Sequence, residues 1–287
     1  MTYYVSPNGN DLNSGLTGAE AFRTVDHGAR MAVHPNDVLL LERGGIWEEQ
    51  LSVRASGVAA APITFAAYGE GQCPILRKPG ASKVAYADSR EWLVFRDLEV
   101  QSGQEGFGLK GSCSNILFDH CVARACTNDG FKLYGTSAAT MLECLALDNV
   151  DDGISQHDST VLTISGGLSA GNGTGLNNIA QAVCCATGLI VRGGNAAVIA
   201  LQNVGGGRFT ATNCNFLHDG RAADGLYIKA DQHAVLSGCV IGGLANAVNL
   251  LDSAEVSLTG CMLIGPNSIR SAGNARCTIQ GCMTGAT

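Results

Sequence analysis

The sequence predicts an all-β fold: a single-stranded right-handed parallel β-helix, a solenoid with coils of about 22 residues and an N-terminal cap. Three observations predict it. A short frame recurs at a nearly fixed interval. A short alternating strand ending near cysteine recurs with it at one phase. Helical periodicity is almost absent.

The frame reads x-Gly, then an apolar residue, then a polar or small one, with a second apolar residue in EGFGLK, DGFKLY and DGLYIK. It occurs as EGFGLK at Glu105, DGFKLY at Asp129, DGISQH at Asp152, TGLNNI at Thr174 and DGLYIK at Asp224, with looser copies at Asn246 and Asn267. The starts are 24, 23, 22, 50, 22 and 21 residues apart. The long step is read as two coils, with a degenerate copy near Asn195. The second element appears as NILFDHC, ATMLEC, FTATNC, AVLSGC, VSLTGC and CTIQGC, ending at Cys121, Cys144, Cys214, Cys239, Cys261 and Cys282. Alternation over a few residues indicates strands. A unit this short cannot bury its apolar face alone, but coils stacked about 4.8 Å apart can. Cysteines at one phase then form an interior column of free thiols.

Composition agrees. The 287 residues are 46% hydrophobic and 15% charged, with 38 Gly and 6 Pro, which excludes disorder and collagen and suits strands joined by tight turns. The net charge of −7 without a Lys/Arg run argues against a nucleic-acid partner. No segment reads as a signal peptide or a membrane-inserting helix. The expectation is a cytoplasmic protein, one carried on a phage particle, or a secreted one whose signal has been removed.

The chain reads as one domain, 1–287. Residues 1–80 hold the cap and the first irregular coils, and 81–287 the regular coils. The segment FRTVDHGARMAV, Phe22–Val33, is the expected capping helix.

Strand alternation assigns faces. Phe107, Phe131, Ile154, Leu176 and Leu226 point inward, and the following residues Gly108, Lys132, Ser155, Asn177 and Tyr227 point outward. Two positions on lies another outward column with Lys110, Tyr134, His157 and Lys229. Carboxylates, Lys and His on one face are what acid/base work on a sugar polymer requires. Lys132, His157 and Lys229 are the candidate catalytic groups. Lys110, Tyr134, Asn177 and Tyr227 are the candidate substrate contacts. The Asp-Gly start also has a purely structural explanation, in which Asp caps a turn and Gly supplies a left-handed φ.

The stretches YYVSPNGNDLNSGL, AFRTV, PNDVLLLERGGIWEEQL and APITFAAYG resemble the opening of pectate-lyase-like β-helix proteins. NDGFKL followed by VDDGIS is similar to calcium-dependent polysaccharide lyases of the family-nine type. That resemblance implies Ca²⁺ held by Asp129, Asp151 and Asp152 with Lys132 as base, although Ser155 stands where that family has a further carboxylate. TNDG, DDG and YIK resemble polygalacturonases, and SQHD resembles a segment of alginate epimerases. The implied activity is β-elimination on an acidic, uronate-containing polysaccharide. The rival is a phage tailspike or another polysaccharide-binding β-helix, a homotrimer if a spike.

Overall fold

The computed structural model describes residues 1–193, 199–218 and 224–285. Among these, parallel strands stack into sheets of 12, 10 and 11 strands, here A, C and B. Each coil contributes one strand to A, then B, then C, the single-stranded right-handed β-helix expected. Register partners such as Leu117↔Thr140 and Thr140↔Thr163 lie 23 residues apart. The repeat copy expected near Asn195 lies outside the described residues. The strand of that coil is Ile199–Val204, with Leu201 in register with Leu176 and Leu226.

The inward positions of successive coils meet one coil spacing apart, and this builds the core. Phe65, Phe95 and Phe118 stack with ring centroids 5.4 and 5.2 Å apart, and Phe107 stacks on Phe131 at 5.1 Å. Truncating one such ring costs about 3–5 kcal/mol.

The turn from sheet A to sheet B explains the cysteine column. One residue there takes a left-handed φ in every coil from Asp97 onward: Asp97, His120, Glu143, Gly166, Gly188, Asn213, Gly238, Gly260 and Gly281. The residue after it is turned inward at the corner, where space suits a small apolar group. Cys121, Cys144, Cys214, Cys239 and Cys261 are buried there as free thiols, and Cys282 is half-buried in the last coil. Their sulfurs reach backbone carbonyls, as Cys121 does Phe95 O at 3.3 Å and Cys144 Phe118 O at 3.5 Å.

The frame's glycine has a different cause from the one expected. Gly106, Gly130 and Gly153 are not in the left-handed region. A Cβ at Gly106 would lie 2.6 Å from Gly130 O, and one at Gly130 would lie 2.6 Å from Gly153 O. Close approach of one coil to the next excludes a side chain here.

Helix α1, Val25–Met31, covers the open N-terminal end. Thr24 caps it by accepting from His27 N, and its Val25, Gly28 and Ala29 face is buried. Strand Thr2–Val5 extends sheet A beside Val38–Leu41. No described helix is long and apolar enough to cross a membrane.

Candidate functional site

Sheet C carries the site. Register aligns Phe107, Phe131, Ile154 and Leu176 inside, and Gly108, Lys132, Ser155 and Asn177 on the outer side. Glu105, Asp152 and Thr174 begin their strands, and Asp129 stands two residues before the strand Phe131–Leu133. Each coil thus adds one or two polar groups to a stack with 4.8 Å spacing.

Those groups bond to one another. Lys132 Nζ lies 2.8 Å from Asp129 Oδ2 and donates to Ser155 Oγ at 3.0 Å. Ser155 Oγ donates to Asp152 Oδ2 at 2.7 Å, which also accepts from Asn177 Nδ2 at 2.8 Å. Asp129 Oδ1 accepts from the Asp152 N–H at 3.1 Å. Ser155 Oγ also meets His157 Nε2 at 3.2 Å. Ser155 has one proton, and it points at Asp152. His157 Nε2 therefore carries the hydrogen of that contact, and Nδ1 holds the ring's free lone pair. Tyr134 stands beside His157 with ring centroids 5.6 Å apart, and its hydroxyl donates to Glu105 at 2.6 Å. The Lys132 ammonium sits 5.3 Å from the centre of the same ring.

Burial sets the electrostatics. Burial pushes the Asp152 carboxyl up to about 6, and the neighbouring charges of Asp129 and Asp151 add to the shift against the bonds from Ser155 and Asn177. Burial likewise raises Asp129, against the pull of Lys132. Burial first, and the Lys132 charge second, lower His157, so its imidazole is neutral near pH 7.

Asp129, Asp151 and Asp152 each offer an oxygen within 4.8 Å of the others. Asp151 is exposed and the other two are buried. Asp152 Oδ1 is buried without a hydrogen-bond partner. Three carboxylates with one ammonium among them leave an uncompensated negative charge, and Asp152 keeps one buried carboxylate oxygen without a donor. Hard oxygen donors of this kind fit Ca²⁺ better than a transition metal.

The structure brings Lys132, His157, Tyr134, Asn177 and the three aspartates together. It does not bring Lys229 or Tyr227 to them. Tyr227 stands four coils from Lys132 in the same outward column, roughly 19 Å along the axis, and Lys229 is on the same distant strand. The placement of these two beside the cluster is corrected: a shared phase fixes the face, but axial rise separates the groups. Lys110 is exposed and lines a hollow with Tyr134. Sequence reasoning missed Ser155 as the hub, and it missed Glu105 and Lys83, which pair at 2.8 Å. Lys83 leads the strand KVAYAD, which lacks the frame's glycine and so escaped the repeat.

Residues 77–188 match the family model described as "Right handed beta helix region". YwoF, an uncharacterised protein of Bacillus subtilis (strain 168), is 32% identical over 130 residues, or 39% of this chain. The match spans about a quarter (26%) of that protein's length. Among solved structures, the alginate lyase of Paenibacillus sp. str. FPU-7 superposes with a TM-score of 0.78 at 14% identity, covering 95% of this chain and 99% of that one. Pectate lyase Pel9A gives 0.66 at 16% identity, over 96% and 78%. The GH136 lacto-N-biosidase of Eubacterium ramulus gives 0.63 at 13%, over 97% and 68%. At these identities the likeness is one of fold, a right-handed β-helix shared by proteins of different chemistry.

Proposed function

We propose that this chain cleaves an acidic, uronate-containing polysaccharide by β-elimination at the sheet C cluster. The observation that carries the reading is the pairing of two unlike parts within one network. One is a carboxylate triad with a bare, buried oxygen. The other is a half-buried neutral histidine whose free nitrogen is fixed by Ser155.

Asp129, Asp151 and Asp152 would hold Ca²⁺, which when bound supplies positive charge to a uronate carboxylate and so acidifies the adjacent C5 proton. His157 Nδ1 takes that proton. The C4–O bond to the next sugar breaks as the C4=C5 double bond forms, and the departing oxygen takes a proton from solvent. Lys132 is the weaker base candidate because Asp129 and Ser155 already hold its ammonium. Its part is to keep a positive charge within the triad. Asn177 and Ser155 orient Asp152.

Hydrolysis is disfavoured by one observation. Asp152, the carboxyl raised far enough to serve as a general acid, is only 2% exposed and is bonded to Ser155 and Asn177. It cannot approach a glycosidic oxygen.

The test is incubation with galacturonate- and mannuronate-based polymers, following the ultraviolet absorbance of the unsaturated product. Product that appears with Ca²⁺, vanishes with EDTA and is lost in His157→Ala supports the reading. Reducing ends without unsaturation would overturn it in favour of hydrolysis, and binding without any product in favour of a tailspike-like role.

A further inference from the structure

Two adjoining hollows lie on sheet C on the N-terminal side of the triad. One, of about 450 Å³, is lined by Lys83, Lys110, Gly111, Tyr134, Gly135 and Asp158. The other, of about 330 Å³, is lined by Gln50, Ser82, Lys83, Tyr86, Asp88 and Lys110. They share Lys83 and Lys110, so they form one groove running across the coils.

The two lysines differ. Lys83 is spent: its ammonium is 2.8 Å from Glu105 Oε2 and 5.5 Å from the centre of the Tyr134 ring. Its stem lies where Gly108 has no side chain, since a Cβ there would sit 2.6 Å from Lys83 Cδ. Lys110 is exposed, and among the described residues no carboxylate lies within ion-pair range of it, although Asp88 and Asp158 line the same groove. Tyr86 is half-buried, in register with Gly108, which is itself in register with Lys132. The outer column therefore reads Tyr86 ring, Lys83 stem over Gly108, Lys132 ammonium, over two coil spacings, roughly 10 Å.

We infer that this groove is a subsite for a carboxylated sugar residue of the polymer, with Lys110 pairing with its carboxylate and Tyr86 forming the floor under its ring. This rests on the acidic-polysaccharide reading and adds where the chain lies. The polymer runs along the solenoid axis, from the triad toward the N-terminal coils.

The experiment uses the full chain carrying His157→Ala, in EDTA, so that neither turnover nor metal contributes. Binding of galacturonate and mannuronate trimers is measured by calorimetry beside the same trimers with carboxyls reduced to alcohols. An acidic trimer is expected to bind, and its reduced counterpart more weakly. Lys110→Ala should weaken acidic binding about tenfold, and Lys110→Arg should restore most of it. Raised salt should erase the difference. Lys110 is exposed, so an unchanged thermal midpoint verifies folding. The subsite is overturned if neither acidic trimer binds, or if Lys110→Ala and Tyr86→Ala bind like the parent. The two readings fail separately. Unsaturated product with an unaltered KM in Lys110→Ala removes the subsite and keeps the elimination. Lysine-dependent acidic binding with no product from any uronate polymer keeps the subsite and removes the elimination.

Discussion

Asp152 and Asp224 lead the same frame three coils apart on sheet C, yet their surroundings are opposite. Both are buried, and both accept from an asparagine in the next coil, Asn177 at 2.8 Å and Asn249 at 2.7 Å. Asp224 also accepts from Asn246 at 2.5 Å, which closes its second oxygen. Thr174 holds Asn246's register position beside Asp152, whose Oδ1 is left bare. At the next outward position Asp152 has Ser155, and Asp224 has Tyr227. Asp152 also has Asp129 in the preceding coil, bonded to its own backbone N–H. The repeat therefore makes a buried carboxylate, and the coils on either side decide whether it is a closed structural group or an open, charged one.

The largest expected effect separates the two regions by activity. His157→Ala should lower the elimination rate by on the order of 10²–10⁴-fold, the usual contribution of a positioned base. Asn249→Ala, beside Asp224, should leave the rate unchanged while lowering the thermal midpoint. Steady-state rates on the best polymer check both, and equal losses would show that the whole solenoid, not one region, had been disturbed.

Asp152 should also leave a mark on stability. Its folded-state carboxyl titrates at about 6, against 3.8 ordinarily. The folded state thus binds a proton that the unfolded state does not between these values, and stability falls as pH rises from 3.8 to about 6. The difference corresponds to about 3 kcal/mol in the absence of metal. Ca²⁺ bound at the triad would hold Asp152 ionised, so saturating Ca²⁺ should flatten the slope, and Asp152→Asn should remove the Asp152 share of it, leaving that of Asp129, which burial also raises. Denaturant melts across that pH range with and without Ca²⁺ are the measurement.

The shared part of the two regions was legible in the sequence, and the difference was not. A period near 22 residues fixes which positions face inward, so Phe107, Phe131, Ile154 and Leu176 followed from the repeat alone. Gly238, Gly260 and Gly281 before cysteine even announce the corner turn. Phase, however, carries no axial distance, which is why Lys229 and Tyr227 were grouped with residues four coils away. Nor does it say which neighbour bonds which. That Ser155 gives its proton to Asp152, and so fixes His157, depends on side-chain geometry between coils. Lys83 was invisible because the repeat was sought through a glycine that its strand does not need.

Exchanging the residues that distinguish the two carboxylates tests the comparison directly. Thr174→Asn places an amide beside Asp152 Oδ1, as Asn246 does beside Asp224. It should weaken Ca²⁺ binding by about tenfold, the low end for altering a group that supports a metal ligand. Asn246→Thr should cost about 1–2 kcal/mol by leaving Asp224 Oδ1 without its donor. Calcium titration and chemical denaturation read these out. An unaltered Ca²⁺ affinity in Thr174→Asn would mean that the bare oxygen is not what the ion uses.

The smallest effect belongs to the scaffold common to both regions. Cys144→Ser puts a hydroxyl into the interior column, where a buried polar group without a good partner costs about 1–3 kcal/mol. Here Phe118 O already lies 3.5 Å from the sulfur, and Leu142 O lies 3.4 Å from it. Serine's shorter C–O bond leaves the hydroxyl somewhat farther from both carbonyls than the thiol. A long hydrogen bond survives, so the expected loss is near 1 kcal/mol. Because the corner turn is remote from sheet C's outer side, Ca²⁺ affinity should not move while the denaturation midpoint falls. A coupled loss of both would mean that coil spacing itself, rather than local bonding around Asp152, holds the triad open.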